Sequence, residues 1–161
     1  MEFNLATIFE YAVDQYPDRE CIVADDKRCT FKEMDQRANR LAHHLASQGI
    51  GKDDHVGIYA YNCIEWIETL WAVFKLRAVW ININFRYVEE ELAYIFENAD
   101  LKALIVQREF AQRTANVISS LPQLSHCQLY LFLAFHRLQF RCISLLLSLL
   151  QHFNIVKKHT A

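Results

Sequence analysis

With 161 residues, 53% of them apolar and 22% charged, the chain has the length and composition of one packed domain, which excludes wholesale disorder. It holds three glycines (Gly49, Gly51, Gly57) and two prolines (Pro17, Pro122), so no glycine-rich phosphate loop can lie beyond Gly57. The net charge of -2 hides an asymmetry: residues 1–109 carry all 19 acids, and residues 110–161 carry five Lys and Arg with no acid. So few cations among apolar residues exclude a nucleic-acid surface.

"NLATIFEYAVDQYPD" predicts a helix with Leu5, Ile8, Phe9 and Ala12 facing inward, capped by Asn4 and closed before Pro17. "ECIVADDKRCTF" predicts a hairpin turning at Asp25-Asp26, with Cys21 and Cys29 in its two arms. Two thiols without a third Cys or His nearby fit half-buried strand positions better than a metal site. "TFKEMDQRANRLAHHLASQGIG" is the clearest helix. Met34, Ala38, Leu41 and Leu45 form its inner face, Thr30 and Glu33 a capping box, and Gly49 its carboxyl cap. His43 and His44 point about 100° apart on a helix and suit a polar face and its boundary, not one metal. "GIGKDDHVGIYAY" leaves a helix and enters a strand, the reverse of a phosphate loop, and is a turn.

"NCIEWIETLWAVFKL" predicts a buried helix with Asn62 as cap and Ile64, Ile67, Trp71 and Phe74 as its stripe, widened by Trp66, Leu70 and Val73. "AVWINI" reads as a buried strand. "YVEEELAYIFENAD" reads as a helix with Leu92, Ile95, Phe96 and Ala99 inward and Glu89, Glu90 and Glu91 in the first turn, where the helix dipole favours negative charge. "KALIVQ" predicts another strand, "REFAQRTANVISSL" a helix and "CQLYLFL" a last strand. Apolar strands alternating with helices predict an α/β fold, a mostly parallel sheet covered by helices on both faces. Strands near 55–60, 78–83 and 102–106 should share that sheet. Ligands gather at the carboxyl ends of such strands, which singles out Asn82, Asn84 and Arg86. Turn formation is the simpler use of those three residues.

Taken together, "TFKEMDQRANRLAHHL", "FKLRAVWININFRYVEEEL" and "REFAQRTANVISSLPQLSHCQLY" resemble, in order and at matching spacing, the amino-terminal region of the adenylate-forming, AMP-binding (AMP-dependent synthetase/ligase) superfamily, especially its fatty-acyl-CoA synthetase branch. Leu76-Arg77-Ala78 stands where many relatives have Lys-Ala-Gly. The resemblance spans about residues 5–131 and implies the amino-terminal subdomain of that fold. It also implies a parent reaction in which ATP and magnesium activate a carboxylic acid to an acyl-adenylate, followed by transfer to CoA. The family's phosphate loop, its later Thr-Glu motif, its ribose-binding Asp and its carboxyl-terminal lysine have no counterpart here. No catalytic, cofactor-binding or metal residue is therefore assigned, no cofactor is expected for this chain alone, and Asn82, Asn84 and Arg86 remain strand-end candidates only.

From Phe132 the resemblance ends, giving an expected division into residues 1–131 and an apolar tail, 132–161, that reads as truncated or frame-altered sequence. Arg137, Arg141, Ser144, Ser148 and His152 make a narrow polar stripe that predicts an apolar carboxyl-terminal helix over 136–153. His136, Arg137 and Arg141 interrupt it too often for a membrane span, which leaves a membrane surface as a remote partner. Self-association or binding to a full-length paralogue is the expected partnership. Five cysteines without a CxxC pair and an acidic, helical start predict a reduced, cytoplasmic protein.

Overall fold

Local signals decide most of the element boundaries. The computed structural model describes residues 4–121, 128–132 and 137–140. Its helices are α1 (Leu5–Gln15), α2 (Phe31–Ser47), α3 (Ile64–Lys75), α4 (Glu89–Asn98) and α5 (Ala111–Ser119), and a 3-10 turn at Arg108–Phe110 leads into α5. Its strands are β1 (Glu20–Ala24), β2 (Lys27–Thr30), β3 (His55–Tyr59), β4 (Val79–Ile83), β5 (Leu101–Gln107), β6 (Gln128–Phe132) and β7 (Arg137–Phe140). The chain divides into two compact units, residues 1–56 with 61–80 and residues 57–60 with 81–161.

In the first unit Asn4 caps α1 as its type predicts, accepting from Ala6 N at 3.1 Å, while its amide donates to Phe74 O at 3.1 Å. That second bond fixes how α1 lies against the end of α3. The helix consequently buries Ala6 and Phe9 and leaves Leu5 and Ile8 48% and 53% exposed, so the inward face differs from the expected one. Phe9 stacks on Trp71 with ring centroids 4.3 Å apart. β1 and β2 pair antiparallel, and Asp25 takes the left-handed conformation (φ 52°) that so tight a turn requires. The capping box of α2 is complete: Glu33 N donates to Thr30 Oγ1 at 3.2 Å and Thr30 N to Glu33 Oε2 at 2.9 Å. Met34, Ala38, Leu41 and Leu45 are buried as predicted, together with Ala42. His43 is exposed and His44 half-buried.

Helices α2 and α3 end in the same way. Gly49 N and Ile50 N bond back to Ala46 O and Leu45 O, and Arg77 N and Ala78 N bond back to Phe74 O and Val73 O. Both are Schellman ends, with Gly49 (φ 84°) and Arg77 (φ 57°) in the left-handed position. At its start α3 departs from expectation, because Cys63 and not Asn62 is the cap residue and its side chain makes no capping bond. Its buried face also differs: Ile64, Glu68, Thr69, Ala72 and Val73 are buried, while Ile67, Trp71 and Phe74 are half-buried. An almost uniformly apolar helix does not fix its own rotation, and here an ion pair does. Arg37 of α2 donates to Glu68 Oε2 from Nε at 3.1 Å and from Nη2 at 2.8 Å.

The second unit holds β5, β6, β7 and the carboxyl ends of β3 and β4, and the sheet runs in the order β4-β3-β5-β6-β7, so the three predicted strands do share one sheet. β5 and β6 run parallel, from Ala103 opposite Gln128 to Gln107 opposite Phe132. β6 and β7 run antiparallel, from Leu129 opposite Phe140 to Phe132 opposite Arg137. Tyr59, Ile83, Leu101, Leu104 and Val106 meet Leu92 and Phe96 of α4 and Ala115 and Ile118 of α5 in one apolar cluster. Ile95 and Ala99 pack at its margin, in line with the sequence pattern. Gly57 lies inside this packing: a Cβ there would meet Leu104 Cδ1 at 2.9 Å and Ile83 Cδ1 at 3.0 Å. The tail departs from expectation, because Arg137–Phe140 is a strand and not the start of a helix. Arg-Leu-Gln-Phe alternates with a period of two, and an open edge of β6 satisfies its backbone. The rest of the expected tail helix lies outside the described residues.

Candidate functional site

The carboxyl ends of β3 and β4, where an α/β sheet places its ligands, are tied to α5 by one polar knot. Tyr59, the last residue of β3, is fully buried, and its hydroxyl donates to Tyr87 O at 3.0 Å. Arg113 of α5 donates through Nη1 both to Tyr59 Oη and to Tyr87 O, each at 3.0 Å. Its Nε lies 3.8 Å from Glu89 Oε1, in the first turn of α4. The Phe110 ring covers the Tyr59 ring with centroids 4.5 Å apart. The Tyr59 phenol thus donates one bond and accepts another, which suits it to hold a position rather than to move a proton. The Arg113 side chain keeps 36% of its surface exposed, so this cation borders solvent.

The predicted candidates lie beside that knot. Asn84 Oδ1 accepts from Arg86 N at 3.0 Å, and Asn84 O accepts from Tyr87 N at 3.0 Å. This Asx turn carries the chain from β4 towards α4 and delivers the Tyr87 carbonyl to Arg113. Arg86 stands over the Phe85 ring, 5.5 Å from its centroid. Asn82 is exposed on β4, two residues before Asn84, which lies past the end of the strand. Asn84 and Arg86 therefore share one turn, and Asn82 stands apart from it. Sequence reasoning missed Tyr59, Tyr87 and Arg113. Their one signal was a tyrosine at the end of β3, another just before α4, and a lone cation in α5.

The first unit carries a second set of charges. Arg37 reaches Glu65 Oε1 at 3.2 Å as well as Glu68, and Lys75 pairs with Glu10 and with Asp35 Oδ1 at 2.9 Å. Burial opposes the charge on Lys75, but its bonds to Glu10 and Asp35 outweigh that and raise its pKa above the ordinary 10.5. Burial pushes the Cys63 thiol up to about 11, so it reacts only slowly near neutral pH. Among the described residues no three His, Cys, Asp or Glu side chains gather as metal ligands. The glycines offer no phosphate cradle either: Gly57 is walled by side chains, Gly49 ends a helix, and Gly51 N is already used, donating to Asp54 Oδ2 at 2.7 Å. Among the described residues, then, neither a cluster of metal ligands nor a glycine cradle for a nucleoside triphosphate is built. No described helix is long and apolar enough to cross a membrane.

Comparison with known proteins places this geometry. The family profile described as AMP-binding enzyme matches residues 9–141. A 3-oxocholest-4-en-26-oate--CoA ligase of Rhodococcus rhodochrous is 48% identical over 122 residues, which cover 76% of this chain and 22% of that one. A medium/long-chain-fatty-acid--CoA/3-oxocholest-4-en-26-oate--CoA ligase of Mycobacterium marinum is 45% identical over 119 residues, again 22% of its length. The chain thus spans about a fifth of these curated relatives. Among solved structures, a benzoate CoA ligase of Burkholderia xenovorans superposes with a TM-score of 0.76 at 16% identity, covering 91% of this chain and 28% of that one. An anthranilate CoA ligase in complex with anthranoyl-AMP superposes with a TM-score of 0.73 at 24% identity, covering 79% and 25%. Both likenesses concern the fold.

Proposed function

The chain belongs to the AMP-binding enzyme family, and from that premise we propose that it supplies the amino-terminal part of an acyl-CoA ligase. The parent reaction is ATP-dependent activation of a carboxylic acid to an acyl-adenylate, followed by thioester formation with CoA. One observation carries this reading: identity of 48% extends over a stretch that is only 22% of the Rhodococcus ligase. The proposed acid is of the class those relatives are named for, a steroid side-chain or medium- to long-chain carboxylate. The 161 residues alone are proposed to be inactive, since the described residues build neither a phosphate cradle from their glycines nor a cluster of metal ligands. In the whole enzyme the knot of Tyr59, Tyr87 and Arg113 would keep the carboxyl edge of the sheet rigid, with Asn84 and Arg86 fixing the adjoining turn.

The test is a graft. Residues 9–121 replace the matching segment of the Rhodococcus ligase, and thioester formation with that enzyme's acid is measured. Retained activity is the expected result, and a folded but inactive chimera overturns the reading. Calorimetry of MgATP with the 161-residue chain should show no saturable heat; a stoichiometric, nucleotide-specific isotherm would refute the inactivity of the isolated segment.

A second reading is self-association or pairing with a longer relative. The exposed row of Leu5, Ile8 and Tyr11 on α1 favours it. Light scattering of the purified chain tests it, and a clean monomer at high concentration excludes self-association.

A further inference from the structure

The hairpin carries two thiols for which ligase chemistry has no use. Between the pairs Glu20–Thr30 and Ile22–Cys29 the register advances two residues on β1 and one on β2, so Cys21 is the extra residue of a β-bulge. The bulge sets Cys21 and Ile22 together opposite Cys29, and Cys21 and Cys29 both pack on the cluster of Phe9, Met34 and Ile64. The Cys21 thiol donates to Cys29 O at 3.2 Å, and Cys29 Sγ lies 3.6 Å from Thr30 O. Both cysteines are free thiols. Cys29 is paired with Ile22, and the bulge keeps the neighbouring Cys21 on the same stretch of ladder, where its thiol reaches the Cys29 carbonyl; a disulfide needs Cα atoms within about 4.4–6.8 Å of each other.

We propose that Cys21 and Cys29 are a modification site: a reversible disulfide across the bulge, formed by exchange with a low-molecular-weight disulfide such as glutathione disulfide. The half-buried Cys21 loses its proton to water, and its thiolate attacks one sulfur of the oxidant. The oxidant's S–S bond breaks, and one glutathione leaves as thiolate and takes up a proton. The Cys29 thiolate then attacks the Cys21 sulfur of the mixed disulfide and releases the second glutathione. Two protein thiols have given two electrons to the oxidant, which ends as two thiols. Burial, then the neighbouring Cys29, pushes the Cys21 thiol up to about 11. Burial raises Cys29 too, against the guanidinium of Arg37. Exchange is therefore slow at neutral pH, and the bond accumulates under sustained oxidation rather than in a brief pulse. Once formed, it clamps the strand that leads into the Thr30 cap of α2.

The complete chain is equilibrated in glutathione buffers of graded redox ratio, quenched with an alkylating agent and digested with trypsin. Lys27 and Arg28 lie between the two cysteines, so peptides 20–27 and 29–32 stay joined only through the disulfide. The expected product is that joined pair, two hydrogens lighter than its separate parts and lost on treatment with dithiothreitol. It should exceed every link to Cys63, Cys127 or Cys142. It should also persist in more reducing buffer than the same link in chain unfolded by guanidinium, since folding holds the thiols together. Cys29→Ser should stop at the glutathione adduct of Cys21, with circular dichroism reporting that the fold survives. Adducts on both cysteines without a link, or a link no more stable folded than unfolded, would overturn the proposal.

Discussion

Arg37 and Glu68, on neighbouring helices, meet through two hydrogen bonds to a single carboxylate oxygen, at 2.8 and 3.1 Å, where Glu68 is fully buried. A charge so placed is tolerated because its countercharge arrives with fixed, forked geometry. Removing the guanidinium leaves a buried carboxylate with far less to offset its desolvation. Arg37→Ala should therefore lower unfolding free energy by about 3 kcal/mol, whereas Arg37→Ala with Glu68→Met should recover most of it. Denaturant melts of both variants check this; equal losses in the two would mean that the pair contributes packing only.

Gly57 has a packing reason to be glycine. The Leu104 and Ile83 methyls that a Cβ would meet belong to fully buried side chains with little room to withdraw. Gly57→Ala should cost about 1–2 kcal/mol and Gly57→Val more, as overpacking does. Thermal midpoints of the two variants should fall in that order.

The Schellman end of α3 makes the opposite prediction. Arg77 holds a left-handed backbone that costs an L-residue about 1 kcal/mol, in the position Gly49 occupies at the end of α2. Arg77→Gly should raise stability by up to about 1 kcal/mol, less the entropy that glycine adds to the unfolded chain. A drop in the denaturation midpoint would show that the arginine side chain contributes more than its backbone costs.

Lys75 sets an alkaline limit. Its folded pKa is raised above 10.5, so its contribution is complete below that pH and is lost as the pH climbs through the folded value. Lys75→Met should be less stable than wild type at pH 8, and the gap should narrow above pH 10.5. A gap that stays constant to higher pH would assign the loss to packing.

These residues also show how far the sequence could be read. The box of Thr30 and Glu33, the inner face of α2, the turn at Asp25 and the strands β3 to β5 rest on local spacing, and local spacing states them. The rotation of α3 does not, because its apolar residues surround the helix and the deciding partner, Arg37, lies 31 positions before Glu68. The knot at the sheet edge joins Tyr59 to Arg113 over 54 positions, a separation that no window along the chain spans. The segment at Arg137 fits both periods. A period of 3.6 continues into the residues after it, a period of two fits the four residues of β7, and the exposed edge of β6 chose the second.

The order of the strands has a consequence for synthesis. β5 gains its outer neighbour only when β6 emerges, after the intervening residues 108–127 have been made. Until then a nascent chain on the ribosome presents seven mostly apolar residues as a ladder with one side open. Chains released by puromycin near residue 121 should therefore co-sediment with one another more than chains released after residue 140. Translation speed across those intervening codons sets how long that sticky interval lasts.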